Sequence, residues 1–183
     1  MTSRKFSHSI DFEAQKINFT FFLFFSVQFA QFIFDGEMPY KILAAGHLND
    51  DGVDHTISAT MLYKNQRTAS FQISSQVENS CEASVYGTKG SMKLLKPFWC
   101  ADKLQLKNGE IVEFPLPKSG KVDFNFPNSA GLGFEAQHVR HCLIHGLTES
   151  PKVSHEETLT IAKIMEEIRH QVGVVYDQDN KKK

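Results

Sequence analysis

The chain has 183 residues, of which 41% are hydrophobic and 22% charged, and its formal net charge is −1. This length supports one domain with a buried core, and the near-zero charge excludes a general electrostatic attraction to nucleic acid or to an anionic membrane. The three cysteines, Cys81, Cys100 and Cys142, include no C-x-x-C pair. We therefore expect a cytoplasmic protein with reduced thiols and no nucleic-acid partner.

The most apolar stretch is residues 19–34 (FTFFLFFSVQFAQFIF), and three structures compete for it. Sixteen residues with two glutamines inside are short for a membrane helix. Acidic residues upstream and the lack of a small-residue cleavage site argue against a signal peptide. We favour a buried helix that ends at Asp35-Gly36, with Gly36 as the C′ residue. Its inward face holds Val27, Ala30, Gln31 and Phe34. A disordered or misassigned leader before Phe25 is the remaining alternative.

Alternating apolar and polar residues predict strands over residues 41–47, 53–63 and 67–77. Residues 81–95 add a β-hairpin, because two alternating segments flank the loop Gly87-Thr88-Lys89-Gly90. We take this hairpin as the centre of one antiparallel sheet. One face of the earlier strands is apolar, and the other is rich in Ser, Thr and Gln. That second face either contacts solvent or packs against another protein, and the sequence favours neither.

The second half of the chain contains shorter predicted elements. Strands are expected at 98–100, 103–106 and 111–114, with an Asn108-Gly109 turn and then an irregular loop over 115–127. A helix from about Gly133 to His145 has an inward stripe of Ala136, Val139 and Leu143. A second helix begins at Ser154, where Glu157 completes a capping box, and ends at Gly173. Its apolar stripe is Ile161, Ile164, Met165, Ile168 and Val172.

Residues 131–136 (GLGFEA) fit the G-x-G-x-x-A dinucleotide pattern and lead into the first of these helices. However, residues 127–130 (PNSA), and not a strand, precede the glycines. Too little chain follows to build half of a doubly wound sheet. We therefore interpret the pattern as a glycine loop that leads into a helix.

Two other groups of residues have a possible chemical role. His138, His141, Cys142 and His145 share one side of a helix and are ligand types for a transition metal, but no second element supplies further ligands. We therefore expect no metal. Trp99 could line an apolar pocket with Phe98, Phe124 and Phe126, or pack in the core. No nucleophile motif or phosphate-binding loop is present.

Several short segments carry a resemblance to a known family. They are VQF (27–29), GVD (52–54), SVYGTKGSMKLL (84–95), FWC (98–100), EFPLP (113–117), NF (125–126), AGLGFEAQHV (130–139), CL (142–143) and ESP (149–151). With these segments, residues 26–178 resemble the C-terminal half of the dimeric dihydrodiol dehydrogenase family. That family lies in the glucose–fructose oxidoreductase/inositol dehydrogenase/MocA (Gfo/Idh/MocA) superfamily.

The resemblance implies an α+β domain with an open, mainly antiparallel β-sheet, helices on one face and no Rossmann domain. It implies that the other sheet face pairs two copies. It also implies that full-length relatives oxidise trans-dihydrodiols of aromatics and D-xylose with NADP. Trp99 and Phe126 match aromatic residues of the family's substrate pocket, and His47 stands where relatives carry an Arg, so we assign these three residues to the pocket.

The sequence departs from the family in two ways. The family's dinucleotide-binding domain is not in this sequence, where residues 1–25 differ from the family. The family's catalytic Tyr lies two residues before VQF, where this chain has Phe25. Phenylalanine has no hydroxyl to exchange the proton that accompanies hydride transfer. We therefore expect no catalytic residue and no cofactor bound by this chain alone.

These expectations divide the chain into three parts. Residues 1–25 are a Phe-rich leader, residues 26–178 a substrate and dimerisation domain, and residues 179–183 a polar tail. We expect a truncated dihydrodiol-dehydrogenase-like protein that is inactive by itself. The alternative is a noncatalytic module that pairs through the open sheet face, with a second copy or with a full-length relative. Under either hypothesis, we do not expect the chain to insert in a membrane.

Overall fold

The structure is a computed structural model that describes residues 19–118, 124, 126–176 and 179. Most of the predicted leader and tail, and residue 125 of the NF segment, lie outside this described part. The helices and strands are α1 (Phe19–Ile33), β1 (Lys41–Leu48), β2 (Asp54–Tyr63), β3 (Arg67–Ser74), β4 (Ala83–Gly87), β5 (Gly90–Leu94), β6 (Lys103–Leu106), β7 (Ile111–Glu113), α2 (Leu132–Ile144) and α3 (His155–Val172). Short 3₁₀ turns lie at Phe98–Cys100 and Ser129–Gly131.

The strands form two antiparallel sheets, ordered β1-β2-β3 and β4-β5-β6-β7. This confirms the α+β fold class, but the prediction of one sheet centred on the hairpin is wrong. The β4–β5 hairpin lies at one end of the second sheet. Residues 75–82 separate the two sheets along the chain, and among them Cys81 has a φ of 54°. A left-handed residue at this point interrupts the extended backbone that a continuous ladder requires.

The core lies between one face of the three-stranded sheet and the helices α1 and α3. The alternation predicted for β2 is confirmed, because Ile57, Met61 and Tyr63 are each no more than 1% exposed. Helix α3 contributes Ile161, Ile164 and Ile168 to the same cluster. These branched side chains fill the space under the sheet and stabilise it by removing apolar area from water.

Helix α1 buries the face that the sequence predicted. Val27, Ala30 and Gln31 are buried, and Phe34 packs against the edge of the core. The helix runs unbroken through the predicted boundary between residues 25 and 26, and Leu23 on the leader side is also buried. In the described part of the chain, no helix is both long and apolar enough to cross a membrane.

The predicted helix ends are confirmed with one correction. At α3, the Ser154 hydroxyl accepts a hydrogen bond from the Glu157 backbone N–H (3.1 Å), and Gly173 ends the helix with a φ of 91°. At α1, Asp35 has a φ of 54° and occupies the C′ position that was predicted for Gly36. Asp tolerates the left-handed conformation, so the chain turns one residue earlier than the glycine indicates.

Two further predictions are wrong. Residues Phe98–Cys100 are a 3₁₀ turn and not a strand, because the Cys100 N–H donates back to the carbonyl of Pro97 (3.1 Å). The stripe of α2 that was predicted to face inward is exposed, at Ala136, Val139 and Leu143. An apolar stripe shows that a helix has a preferred packing side, but not whether its partner belongs to the same chain.

The outer edge of β1 is bonded to a helix side chain. Gln171 of α3 accepts a hydrogen bond from the Ala44 N–H through Oε1 (2.7 Å). Its Nε2 donates to the carbonyl of Ile42 (2.9 Å) and to Glu167 Oε1 (2.7 Å). Gln171 thus satisfies two backbone groups of an edge strand and ties α3 to the sheet.

Candidate functional site

An aromatic cluster joins α1 to the 3₁₀ turn at 98–100. The ring centroids of Phe25 and Trp99 are 6.4 Å apart, and those of Phe29 and Phe98 are 6.2 Å apart. The Phe98 and Trp99 rings meet edge to face at 5.6 Å. Phe25 and Phe29 reach the turn together because residues four apart share one side of a helix. The half-buried Trp99 is therefore held beside the position where the family resemblance expects a tyrosine.

The turn is held from its other side by Asn128. The Asn128 side-chain amide donates to the Cys100 carbonyl (2.9 Å), and the Cys100 thiol donates to the Asn128 carbonyl (3.3 Å). Burial, with a smaller effect from Asp102, raises the pKa of the Cys100 thiol, so the proton needed for this bond stays in place at neutral pH. Asn128 is not among the site residues predicted from the sequence, although Asn favours the left-handed conformation that it adopts here, with a φ of 60°.

Residues 131–136 do not form a phosphate cradle in this structure. A 3₁₀ turn precedes them, and not a strand. A Cβ on Gly131 would lie well inside van der Waals contact distance of the Cys100 sulfur. The glycine therefore allows the loop to approach the turn, which agrees with the interpretation as a glycine loop that leads into a helix.

The structure does not bring the three predicted pocket residues together. Trp99 belongs to the aromatic cluster, whereas the Phe126 side chain is 60% exposed on the loop before Asn128. His47 lies on the open side of β1, because its neighbour Gly46 faces α3 and successive strand residues alternate in direction. Trp99 and His47 are thus on opposite sides of the first sheet, and the assignment of all three to one pocket stays a prediction.

The open face of the first sheet carries rows of small polar and apolar residues. Leu43, Thr60 and Ser70 form one row across the three strands, and Ala45, Ser58 and Gln72 form the next. His47 continues the face in a third row with Thr56 and Ser74, whose hydroxyl oxygens are 3.2 Å apart. No residue of the first two rows carries a charge, so the face can be covered without burying an unpaired ion.

The histidines of α2 make local contacts. His138 Nε2 is 2.8 Å from the Ser150 hydroxyl and 3.5 Å from the Cys142 sulfur. The rings of His141 and His145 stack with centroids 4.0 Å apart. Among the described residues, no group of three or more His, Cys, Asp or Glu side chains is arranged to hold a metal ion.

No protein-family model matches the sequence. The chain is 43% identical over 157 residues to the trans-1,2-dihydrobenzene-1,2-diol dehydrogenase of Homo sapiens, which covers 86% of the chain and 46% of that protein. The Danio rerio protein of the same name is 39% identical over 156 residues, again 46% of its length. The chain therefore spans about half the length of the curated relatives it matches.

A solved structure supports the fold. The aldose–aldose oxidoreductase from Caulobacter crescentus, crystallised with glycerol, superposes on 81% of this chain and 43% of its own with a TM-score of 0.58 and 18% identity. At this identity the likeness shows the fold alone. From the sequence identity and the fold together, the chain is a relative of the dihydrodiol dehydrogenases that corresponds to their C-terminal half.

Proposed function

We propose that this chain is the substrate-side and pairing half of a dihydrodiol-dehydrogenase-like oxidoreductase. The contact between Phe25 and Trp99 is the observation that carries the proposal, since it sets the aromatic cluster beside the position of the family's catalytic tyrosine. The substrates that we propose are those of the relatives, trans-dihydrodiols of aromatics and sugars such as D-xylose. The compartment that we propose is the cytoplasm, where the three free cysteines stay reduced.

The proposed substrate surface is aromatic. Trp99 offers a large, half-buried ring, and Phe126 offers an exposed ring on the loop that Asn128 ties to the same turn. Aromatic side chains stack on a flat or nearly flat ring and leave its hydroxyl groups free to bind polar partners. A cyclic diol is therefore the ligand that we propose for these two rings.

NADP, in this proposal, is bound by a dinucleotide-binding unit that relatives carry outside the shared stretch. The 3₁₀ turn before residues 131–136 supports this division, since a dinucleotide-binding glycine loop follows a strand. Phe25 has no hydroxyl with which to exchange a proton. We therefore propose that the 183-residue chain does not oxidise a dihydrodiol by itself.

Trp99 is the only tryptophan, so its fluorescence reports directly on the proposed surface. We expect trans-1,2-dihydrobenzene-1,2-diol to change its emission saturably, and Phe126→Ala to weaken that binding. Phe114→Ala is the matched control, because Phe114 is similarly exposed near the end of β7. An unchanged emission up to millimolar diol, or equal effects of the two variants, would overturn the substrate proposal. NADPH formation by the chain alone would overturn the proposal that the chain is inactive by itself.

A second candidate function is pairing through the open face of β1-β2-β3. The uncharged rows around Ser58 and Thr60 favour it, because a second copy could cover them without desolvating charges. We expect Ser58→Arg to shift the chain toward monomer in sedimentation velocity runs. Thr148→Arg, on an exposed loop, should leave the distribution unchanged. A chain that sediments only as monomer at high micromolar concentration would remove this candidate.

A further inference from the structure

Helix α2 carries an exposed apolar seam along its length. Leu132, Ala136, Val139 and Leu143 are spaced by four, three and four residues, which is the a/d spacing of a heptad repeat. The three larger side chains are 65%, 48% and 71% exposed. A contiguous apolar stripe on a folded domain marks a surface that binds another protein surface.

The seam points away from the domain because the other side of α2 is anchored. Cys142 is buried, and its sulfur contacts His138 (3.5 Å), which in turn bonds to Ser150 in the loop before α3 (2.8 Å). His138 and Cys142 are four residues apart and share one side of the helix, and Leu143 lies about 100–140° around the helix from them. The orientation of the seam is therefore fixed by the domain itself.

Two opposite charges flank the seam. With Ala136 and Val139 as the a and d positions, Glu135 takes position g and Arg140 takes position e. Neither forms an ion pair with another side chain in the part of the chain that the structure describes. In a parallel helix pair, g of one helix faces the e position five residues further along the other. Glu135 and Arg140 are separated by those five residues.

We propose that α2 pairs in parallel with α2 of a second copy of this chain. The seam residues of the two helices pack against each other, and two symmetric Glu135–Arg140 ion pairs set the orientation. In an antiparallel pair, position g of one helix faces position g of the other, and e faces e. Glu135 would then lie opposite Glu135 and Arg140 opposite Arg140, so no ion pair could form. A seam this short buries less than the ~1,200 Å² of a standard interface, so the pairing is weak and depends on concentration.

This surface is separate from the open face of the first sheet, so the inference does not depend on the proposed function. All tests use the full chain with Ser58→Arg, which removes association through the sheet face. Leu132→Cys and Leu143→Cys place a thiol at each end of the seam. In a parallel pair, each variant forms a disulfide with itself on mild oxidation, and peptide mass spectrometry identifies the linked site.

Phe134→Cys is the control, because Phe134 is 54% exposed on the opposite side of α2 and should not cross-link. Every variant also contains the native cysteines Cys81, Cys100 and Cys142. The same mass spectrometry identifies any disulfide that they form. Cross-linking only between the two seam variants in a mixture would show an antiparallel pair and overturn the orientation. Cross-linking no faster than the Phe134→Cys control would overturn the pairing.

Charge reversal tests the specificity of the pair. Glu135→Arg puts like charges together and should weaken association at least ~10-fold in sedimentation equilibrium. Adding Arg140→Glu exchanges the two charges and should restore association of the variant with itself, but not with the unaltered seam. An unchanged dissociation constant in Glu135→Arg, with unchanged circular dichroism, contradicts the proposal.

Discussion

The rings of Phe25 and Trp99 lie 6.4 Å apart at an angle of 31°, so a residue of α1 forms part of the environment of the single tryptophan. We expect Phe25→Ala to shift the Trp99 emission to longer wavelength, because water reaches the indole. An aromatic pair contributes about 1 kcal/mol beyond its buried area, so the free energy of unfolding should fall as well. Phe32→Ala is the control, since Phe32 on the same helix is 77% exposed; equal shifts in the two variants would contradict the contact.

Gly131→Ala should destabilise the domain by about 1–3 kcal/mol, because the added methyl group collides with the sulfur of Cys100. The backbone of Gly131 is right-handed helical, so the cost comes from packing and not from φ. Adding Cys100→Ala removes the sulfur and should recover part of the loss. Gly133→Ala should be tolerated, because its nearest neighbour, a carbon of Pro117, would be 3.6 Å away. Urea unfolding of these three variants and of the unaltered chain checks this order.

Gln31 is fully buried, and its Nε2 donates to the Tyr63 hydroxyl (3.3 Å) and to the carbonyl of Glu37 (3.1 Å). Its Oε1 has no partner among the described residues. Tyr63→Phe and Gln31→Met should each lower the free energy of unfolding by about 1 kcal/mol, because each removes the buried hydrogen bond between the two side chains. The double variant should cost less than the two losses added together. Strict additivity in urea unfolding would show that the two side chains do not interact.

Arg169 is 8% exposed and bonds to Glu166 (2.6 Å) and to Asp179 (2.7 Å). These hydrogen bonds lower the pKa of both carboxyl groups below their unfolded values of 4.5 and 3.8. A lowered folded pKa gives stability that is present above the unfolded pKa and is lost as the pH falls through the folded pKa. Unfolding free energy should therefore decline from about pH 4.5 downward.

Arg169→Met should weaken this acid dependence, because both carboxyl groups lose the hydrogen-bond partner that lowers their pKa most. Its matched control is Arg140→Met, since Arg140 is exposed on α2 and forms no ion pair with a described residue. Urea unfolding of the three proteins between pH 3 and pH 7 compares the slopes. A slope that Arg169→Met leaves unchanged would show that other carboxyl groups set the acid dependence.

The elements that the sequence predicted well are those where local chemistry and tertiary burial agree. Ser154 and Gly173 bound α3 because capping and left-handed termination act within a few residues. The alternation of apolar and polar residues along β2 predicted the strand correctly, because one face of the strand is buried and the other is open. The family could also be recognised from short segments of the sequence, and the sequence identity to the relatives supports that resemblance.

The predictions that failed depend on partners distant along the chain. The seam of α2 has the periodicity of a core stripe, but its apolar side chains face outward. The position of the β4–β5 hairpin within its sheet is set by pairing with β6, which a two-strand signal does not contain. By contrast, the assignment of His47 and Trp99 to one pocket rests on the family resemblance alone and stays a prediction.

The side chain of Gln171 gives the β1 edge a further property. An exposed strand edge offers its carbonyl and N–H groups as a template, and a foreign strand can add to it and extend the ladder sideways. Here a glutamine amide already satisfies the Ile42 carbonyl and the Ala44 N–H, imitating one residue of such a strand. Lateral growth at this margin would first have to displace the Gln171 side chain, so the β1 edge is closed to a foreign strand for as long as α3 keeps its place.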